Sequence, residues 1–531
     1  MNHMKETSLY LIAIGLFLFI GASTPFNLPS LHYDEVNYVP LIFHWPSNLT
    51  PVEIFSIPLM IDAHNGALKL WLMSPVLHQF GLHPAVVRIS SLFIAFLGII
   101  IVTFAVRKRF GLWPAILSIF LLCIDTGLIH HARTDFGPTA ISFLFRCITL
   151  YFFISYVTTG RQLHFYAIFF LLGLGIWDNC YFVFFGIALL AAVLYIRPYL
   201  LMATPKKIAY SLASFLLGLF PWILWNVQWK FLSIKSINFS LKYFLPSFIW
   251  KNFLMAVQTW RSFYPSPIYF PDKIGHFGYN CKANMLFEIF FVLAVIAIGI
   301  KIWKRPKKLF TDPLIPALLT LFLTHLALLI VFIPNLESRH AIGLAPLPQI
   351  LVALMIWPIC SAISHRANIQ KTAVSMIIIP LFLGGIYSLV NYRSTILRMH
   401  GRTLFSTSMY ALAHNLRDLP AKPIWVADWG ISNQLQFLMP DCADYIQELF
   451  GNPDNKFSAT LQIEKIRKIK SGDYLITHSG PENIIINSSD DIKTVLESAL
   501  LVPYLLFTVE DQDKMPYLFV FRLEDSIRDT D

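Results

Sequence analysis

The stretch "LPSLHYDEVNYVP", Leu28–Pro40, sets two adjacent carboxylates, Asp34 and Glu35, directly after the first apolar run of the chain. Neighbouring carboxylates repel each other, and near a bilayer each loses hydration. Such a pair is either an idle wet loop or a site, and the surrounding sequence has to decide which.

The 531-residue chain is 56% hydrophobic and only 14% charged, with a mean hydropathy of +0.60. Soluble domains carry about 25% charged residues, so composition alone points to a membrane protein. A net charge of +10 could signal nucleic-acid binding, but the basic residues cluster between apolar runs rather than on one face. They read as orientation signals, and nucleic acid is not an expected partner. The 6 cysteines show no CxxC or Cys/His spacing, which argues against a zinc site or a disulfide framework. Cys123, Cys147 and Cys360 lie in apolar runs as small hydrophobes. Cys281 and Cys442 fall outside the membrane, and nothing in the sequence supports their pairing. The first run, Leu9–Ala22, lacks a small-x-small cleavage site and reads as a retained span.

Membrane spans of about 17–25 apolar residues are the unit to look for. Eleven are expected: Leu9–Ser23, Ala85–Val106, Leu112–Leu128, Pro138–Tyr156, His164–Ile176, Tyr181–Ile196, Ile208–Val227, Leu286–Trp303, Leu314–Ile333, Ala341–Ile363 and Thr372–Val390. The fifth and sixth are short and split by "WDNC", which leaves one broken, re-entrant pair as the alternative. Arg107–Arg109, Arg161, Arg197 with Lys206 and Lys207, Lys301–Lys308, and Arg366 with Lys371 occupy every second loop. Those loops are expected to be cytoplasmic. The alternate loops then hold Asp34, Glu35, Glu53, Asp62, Asp135, Asp178 and Glu337, so the carboxylates of an acid-poor chain collect on one face.

The organisation follows. Residues 1–391 form a transmembrane domain whose first outer loop, 24–84, carries the opening motif and two stretches able to lie flat in the interface. Gln228–Met285 is a second long outer loop, rich in aromatics and Lys. Residues 392–531 read as a soluble α/β domain on the same face. Within it, "KPIWVADWGISNQLQFL" is a strand, a turn and a helix starting near Ser432; "GDYLITHSG" is a strand; "YLLFTVED" and "PYLFVFRLED" are a hairpin.

Three more polar clusters sit at outer mouths. "MIDAHNGALKLW" places Asp62, His64, Asn65 and Lys69 in the first outer loop; "HHARTDFGP" places His130, His131, Arg133 and Asp135 in the next; "NLESRHAIGLAPL" places Glu337, Arg339 and His340 in a third. Each alone is a common loop feature. Together with the DE pair they point to one charged cavity.

The DE pair after the first span, a polar cluster some tens of residues on, an R-x-D mouth before the fourth span and "GLGIW" opening a short span form an ordered pattern. It resembles the GT-C membrane glycosyltransferases, the group holding protein O-mannosyltransferases and the aminoarabinose transferases of lipid A. The likeness is good from Met1 to about Arg197, general over Ile208–Val390, and one of position only in the C-terminal domain. It implies a polytopic α-helical GT-C fold, a polyprenyl-phosphate-linked sugar donor, a lipid, glycan or protein hydroxyl as acceptor, and inversion at the sugar carbon. Asp34 then resembles the catalytic base and Glu35 its substrate-orienting neighbour. A carboxylate at a partly desolvated mouth suits proton acceptance. Asp62, His64, Lys69, Arg133, Asp135, Arg339 and His340 are the substrate-binding candidates, the cations among them being available for a leaving phosphate. Where the family carries Pro-rich text, this chain reads "DAHNGALK", which leaves the roles of Asp62 and His64 open. Asp135 is either a site residue or a partner of Arg133; His130 and His131 are expected at the interface; Asp178 reads as a loop breaker, and Glu337 as a counter-charge to Arg339.

No metal or other cofactor is expected, because a lipid-monophosphate donor needs little charge neutralisation and no DxD is present, although Asp34, Glu35, Asp62, His64 and Asp135 are oxygen-rich enough to hold a divalent ion. The competing classes are another lipid-linked transferase, a transporter or flippase, and an assembly factor. Asp125 and Arg146 are nearly the only ions inside spans that a transporter would use. The expected location is the inner membrane, with the catalytic loops and C-terminal domain extracytoplasmic.

Overall fold

The structure is a computed structural model that describes residues 15–196, 204–234, 246–253, 313–333, 342–363, 367–399, 406–449, 465–478 and 496–526, apart from scattered positions within these ranges. The expected span Leu286–Trp303 (Ile296 apart), Cys281, Glu337, Arg339 and His340 lie outside the described residues.

Residues 15–22 are helical and lead into the opening motif. That motif folds as two short helices, α1 (Tyr33–Val36) and α2 (Val39–Phe43), followed by a hairpin of β1 (Val52–Ile54) and β2 (Ile57–Met60) and by helix α3 (Leu68–Phe80). The loop 24–84 is thus a folded layer rather than two flat helices. Beneath it run α4 (Pro84–Phe110), α5 (Leu112–Cys123), α6 (Thr126–Thr134), α7 (Thr139–Thr159), α8 (Gln162–Asp178), α9 (Phe182–Ile196) and α10 (Pro205–Gln228). After the undescribed segment come α11 (Leu314–Phe332), α12 (Leu347–Ile363) and α13 (Ala367–Met399). Among the described residues, α4, α7, α10 and α11 are long and apolar enough to cross a membrane.

The expected span Leu112–Leu128 is broken. α5 and α6 meet at a bend of 58°. Asp125 makes the break: its carboxylate accepts the N–H of Leu128 at 2.9 Å as the cap of α6, and Gln349 of α12 donates to its other oxygen. His130, His131 and Arg133 therefore sit on a buried helix, not in an outer loop at the interface. The "WDNC" stretch, in turn, is a tight turn between two separate short helices, α8 and α9.

The buried positions of α4, among them Val87, Ser91, Leu92, Ala95, Ile99, Val102 and Val106, recur at helical spacing and face α7. Helices α8 and α10 approach most closely where Gly173 meets Gly218; a Cβ on Gly173 would lie 2.3 Å from the carbonyl oxygen of Phe215. Small residues let backbones meet where lipid provides no hydrophobic drive. One continuous apolar core joins α4–α9 with α11 and α12.

Helix α13 runs through Tyr392, and the sheet domain begins after it with α14 (Ser408–Arg417). Then follow β3 (Ile424–Val426), α15 (Ile431–Leu438), β4 (Ile446–Glu448), β5 (Tyr474–His478), β6 (Leu501–Glu510) and β7 (Pro516–Asp525). The strand order is β4-β3-β5-β7-β6, with β3 parallel to β4 and β5, and the β6–β7 hairpin antiparallel on β5. Strand alternation splits the core: Ile424 and Val426 pack with α14 and α15, Trp425 with Leu475 and Leu523 on the other face.

Candidate active site

The two opening carboxylates, one residue apart, have opposite environments. Glu35 is fully buried, and Arg88 from the first turns of α4 forks onto it, Nη2 to Oε1 at 2.8 Å and Nε to Oε2 at 2.9 Å. Oε1 also accepts the N–H of His32 at 2.9 Å, closing a capping box at the start of α1. The remaining guanidinium donors take the carbonyls of Phe26 (2.7 Å), Pro29 (2.8 Å) and Ser30 (3.2 Å). Burial pushes the Glu35 carboxyl up, and the Arg88 charge and hydrogen bonds oppose that push. Glu35 therefore fastens the loop to α4. Asp34 keeps its carboxylate partly open, with its side chain 17% exposed and an oxygen 3.8 Å from His32 Nδ1.

Lys69 and Asp135 form the second buried pair, Nζ to Oδ2 at 2.9 Å. Lys69 also donates to the Asp135 carbonyl at 3.1 Å and lies 5.0 Å from the centre of the Tyr38 ring. Asp135 accepts from Ser91 at 3.2 Å and from the N–H of Ala140 at 2.8 Å, so it ties α3, α4 and α7 together. The partner of Asp135 is Lys69, not Arg133. Arg133 instead donates to the carbonyls of Pro25 and Leu28, at 2.6 and 3.0 Å, and lies over the Phe26 ring at 5.3 Å. Its Nε and Nη1 are buried without a partner among the described residues. His130 Nδ1 meets the hydroxyl of Tyr392 at 2.8 Å.

Asp62 serves its own turn. Oδ1 accepts the N–H of His64 at 2.7 Å and of Asn65 at 2.8 Å, and both oxygens accept from the Asn65 amide. That turn is docked on the end of α8: Gly66 donates to the Asp178 carbonyl at 3.1 Å, Asn65 bridges to Asn179, and His64 Nδ1 lies 3.6 Å from Cys180 Sγ. A Cβ on Gly66 would lie 2.4 Å from the Trp177 carbonyl oxygen, so the contact requires glycine. Asp178 is buried and accepts from Ser142 at 3.1 Å, which makes it more than a loop breaker.

The C-terminal domain covers this layer. Gln434 donates to the Leu31 carbonyl, Gln436 to that of Pro46 at 2.8 Å, and the Tyr410 hydroxyl to that of Asn27 at 3.3 Å. Phe437 enters the apolar cluster of Leu31, Val36, Tyr38 and Val39. Gly430 at φ +89° abuts Tyr33, where a Cβ would come within 2.6 Å of the ring. Among the described residues no group of three His, Cys, Asp or Glu is arranged to hold a metal ion.

Sequence reading missed Arg88, Tyr38, Tyr392 and the glutamines of α15. A lone Arg in the apolar run "PAVVRISSLF" was the available signal, because an ion inside a span needs a partner. Contacts between Gln434 and Leu31, 403 residues apart, leave no local pattern to read.

Residues 65–225 match the family model of the dolichyl-phosphate-mannose-protein mannosyltransferases. No curated protein matches the sequence. Among solved structures, ArnT from Cupriavidus metallidurans bound to undecaprenyl phosphate superposes over 97% of both chains at TM-score 0.56 and 13% identity. The apo state of that protein covers 99% of both at 0.59 and 12%. The Archaeoglobus fulgidus oligosaccharyltransferase tethered to an acceptor peptide covers 89% of this chain and 69% of its own, at 0.52 and 13%. Identities this low speak for fold, while the family model speaks for the segment that holds Lys69, Arg133, Asp135 and Asp178. Together they show that residues 65–225 are similar to that mannosyltransferase family and that the chain shares the fold of ArnT and the oligosaccharyltransferase, the fold expected from the pattern that began at Asp34 and Glu35.

Proposed function

We propose that this chain transfers a sugar from a polyprenyl-phosphate carrier to an acceptor hydroxyl at the extracytoplasmic face of the inner membrane, with inversion and with Asp34 as base. The acceptor proton passes to the Asp34 carboxylate as the acceptor oxygen bonds to the anomeric carbon. The bond from that carbon to the phosphate oxygen breaks, and its electrons leave with the phosphate. The observation that carries this reading is the contrast in burial within one helical turn: Glu35 is fully buried and held by Arg88, while the Asp34 side chain is 17% exposed. The family model over residues 65–225 and the undecaprenyl phosphate bound by the structural neighbour ArnT support the donor class.

Arg133, which holds the carbonyls of Pro25 and Leu28 ahead of the opening motif, has donors to spare for a leaving phosphate, whereas Lys69 is held by Asp135. Arg339 and His340 remain candidates on sequence grounds.

The test is Asp34→Asn in purified protein, assayed by consumption of glycosylated polyprenyl phosphate in detergent. General-base catalysis contributes about 10²–10⁴-fold, so turnover falls by that factor while carrier binding persists. Wild-type turnover in the variant refutes the mechanism. Movement of intact glycolipid across vesicles without its consumption would favour the transporter class.

A further inference from the structure

A second polar cluster lies beneath the turn that Asp62 holds, inside the helical bundle. It comprises Asp178 at the end of α8, Ser142 and Arg146 one turn apart on α7, and His325 on α11. Arg146 is seven residues into α7 and His325 seven from the end of α11, about 10 Å along each axis. In the topology above, both depths are measured from the outer face. Gly343 brings the two together: a Cβ there would lie 3.6 Å from His325 Cε1 and 3.8 Å from Arg146 Nη1. Ser142 Oγ donates to Asp178 Oδ2 at 3.1 Å, so α7 and α8 share the cluster.

This cluster leaves several hydrogen bonds unmade. Arg146, 6% exposed, forms no hydrogen bond or ion pair among the described residues, and its Nε is fully buried. Asp178 Oδ1 and His325 Nδ1 are likewise buried without partners among the described residues. An unpaired guanidinium among apolar helices is costly and marks a functional site by default. Each such atom needs an explanation, and here three come from three helices in one cluster.

Their hydrogen-bonding needs identify the ligand class. A guanidinium only donates, a carboxylate accepts, and a neutral imidazole does one or the other. A phosphate would satisfy Arg146 but would face Asp178 as a like charge and leave Oδ1 without a donor. A ring of hydroxyls donates and accepts, so neighbouring hydroxyls can serve Asp178 and Arg146 together.

We propose that Arg146, Asp178 and His325 form the pocket that holds the sugar ring of the lipid-linked donor and selects among sugars. This rests on the donor class proposed above. The carrier phosphate then stays at the level of Arg133 and Asp34, and the hydroxyls reach down between α7, α8 and α11.

The test measures binding, without turnover, of bare undecaprenyl phosphate and of its mannosyl, glucosyl, galactosyl and 4-amino-4-deoxyarabinosyl derivatives to the purified protein in detergent. The wild type binds one glycosyl lipid about tenfold or more tighter than the bare lipid. Arg146→Gln and Asp178→Ala lose that increment and keep the bare-lipid affinity, which also certifies their folding. Variants that retain the increment, variants that lose bare-lipid affinity as well, or a wild type that prefers no glycosyl lipid would each overturn the pocket while leaving carrier binding established. Failure of the wild type to bind bare undecaprenyl phosphate would remove the donor class itself, and the pocket with it.

Discussion

Glu35→Ala separates the two opening carboxylates by experiment. The substitution removes the acceptor of both Arg88 bonds, 2.8 and 2.9 Å long, and leaves a fully buried guanidinium held, among the described residues, by the carbonyls of Phe26, Pro29 and Ser30. Breaking a buried ion pair from one side costs about 3–5 kcal/mol, because the remaining charge is uncompensated. The capping bond to His32 goes as well, worth about 1 kcal/mol. Thermal unfolding in detergent micelles, followed by thiol-reactive dye at the buried Cys123, Cys147 and Cys180, should shift down clearly. Asp34→Asn should melt like the wild type. The double variant Glu35→Leu with Arg88→Met should recover much of the loss, because an apolar pair leaves no orphaned charge. A Glu35→Ala protein with wild-type melting but no turnover would refute the fastening role and return Glu35 to the substrate.

Three further outcomes follow from the geometry. Gly430→Ala forces a side chain into φ +89° and against the Tyr33 ring; it should cost about 1–3 kcal/mol in melting and slow transfer through Tyr33, and an unchanged protein would refute the seating of the sheet domain on the motif. Arg133→Ala should weaken binding of undecaprenyl phosphate about tenfold or more, and Arg133→Lys should recover little because a fork becomes a point charge; full binding in Arg133→Ala would move the phosphate elsewhere. Thiols introduced at Asn37 and Ser479 should label from outside the intact membrane and one at Lys307 only after permeabilisation, whereas outside labelling at Lys307 would invert the orientation.

The apolar runs made most helices legible, and "YLLFTVED" with "PYLFVFRLED" announced the β6–β7 hairpin through alternation. The break at Asp125 was hidden because one capping carboxylate inside an apolar window barely alters its hydropathy. The site was legible as residue types but not as partnerships. Lys69 and Arg133 read alike as free cations, yet Lys69 is spent on Asp135 at 2.9 Å while Arg133 keeps two nitrogens unpaired among the described residues. Which carboxylate a cation meets depends on how α3, α4 and α7 cross, and no local spacing encodes that.

The seating of α15 on α1 also orders events during synthesis. Leu31 leaves the ribosome 403 residues before Gln434, the side chain that holds its carbonyl. At about 5–20 residues per second, the motif waits roughly 20–80 s for its cover. For that interval Tyr33 and Leu31 lack their cover, and a chain interrupted between Glu35 and Gly430 carries both carboxylates without the segment that seats on them. The cover of the motif is therefore made late in translation, although the residues it covers are among the first made.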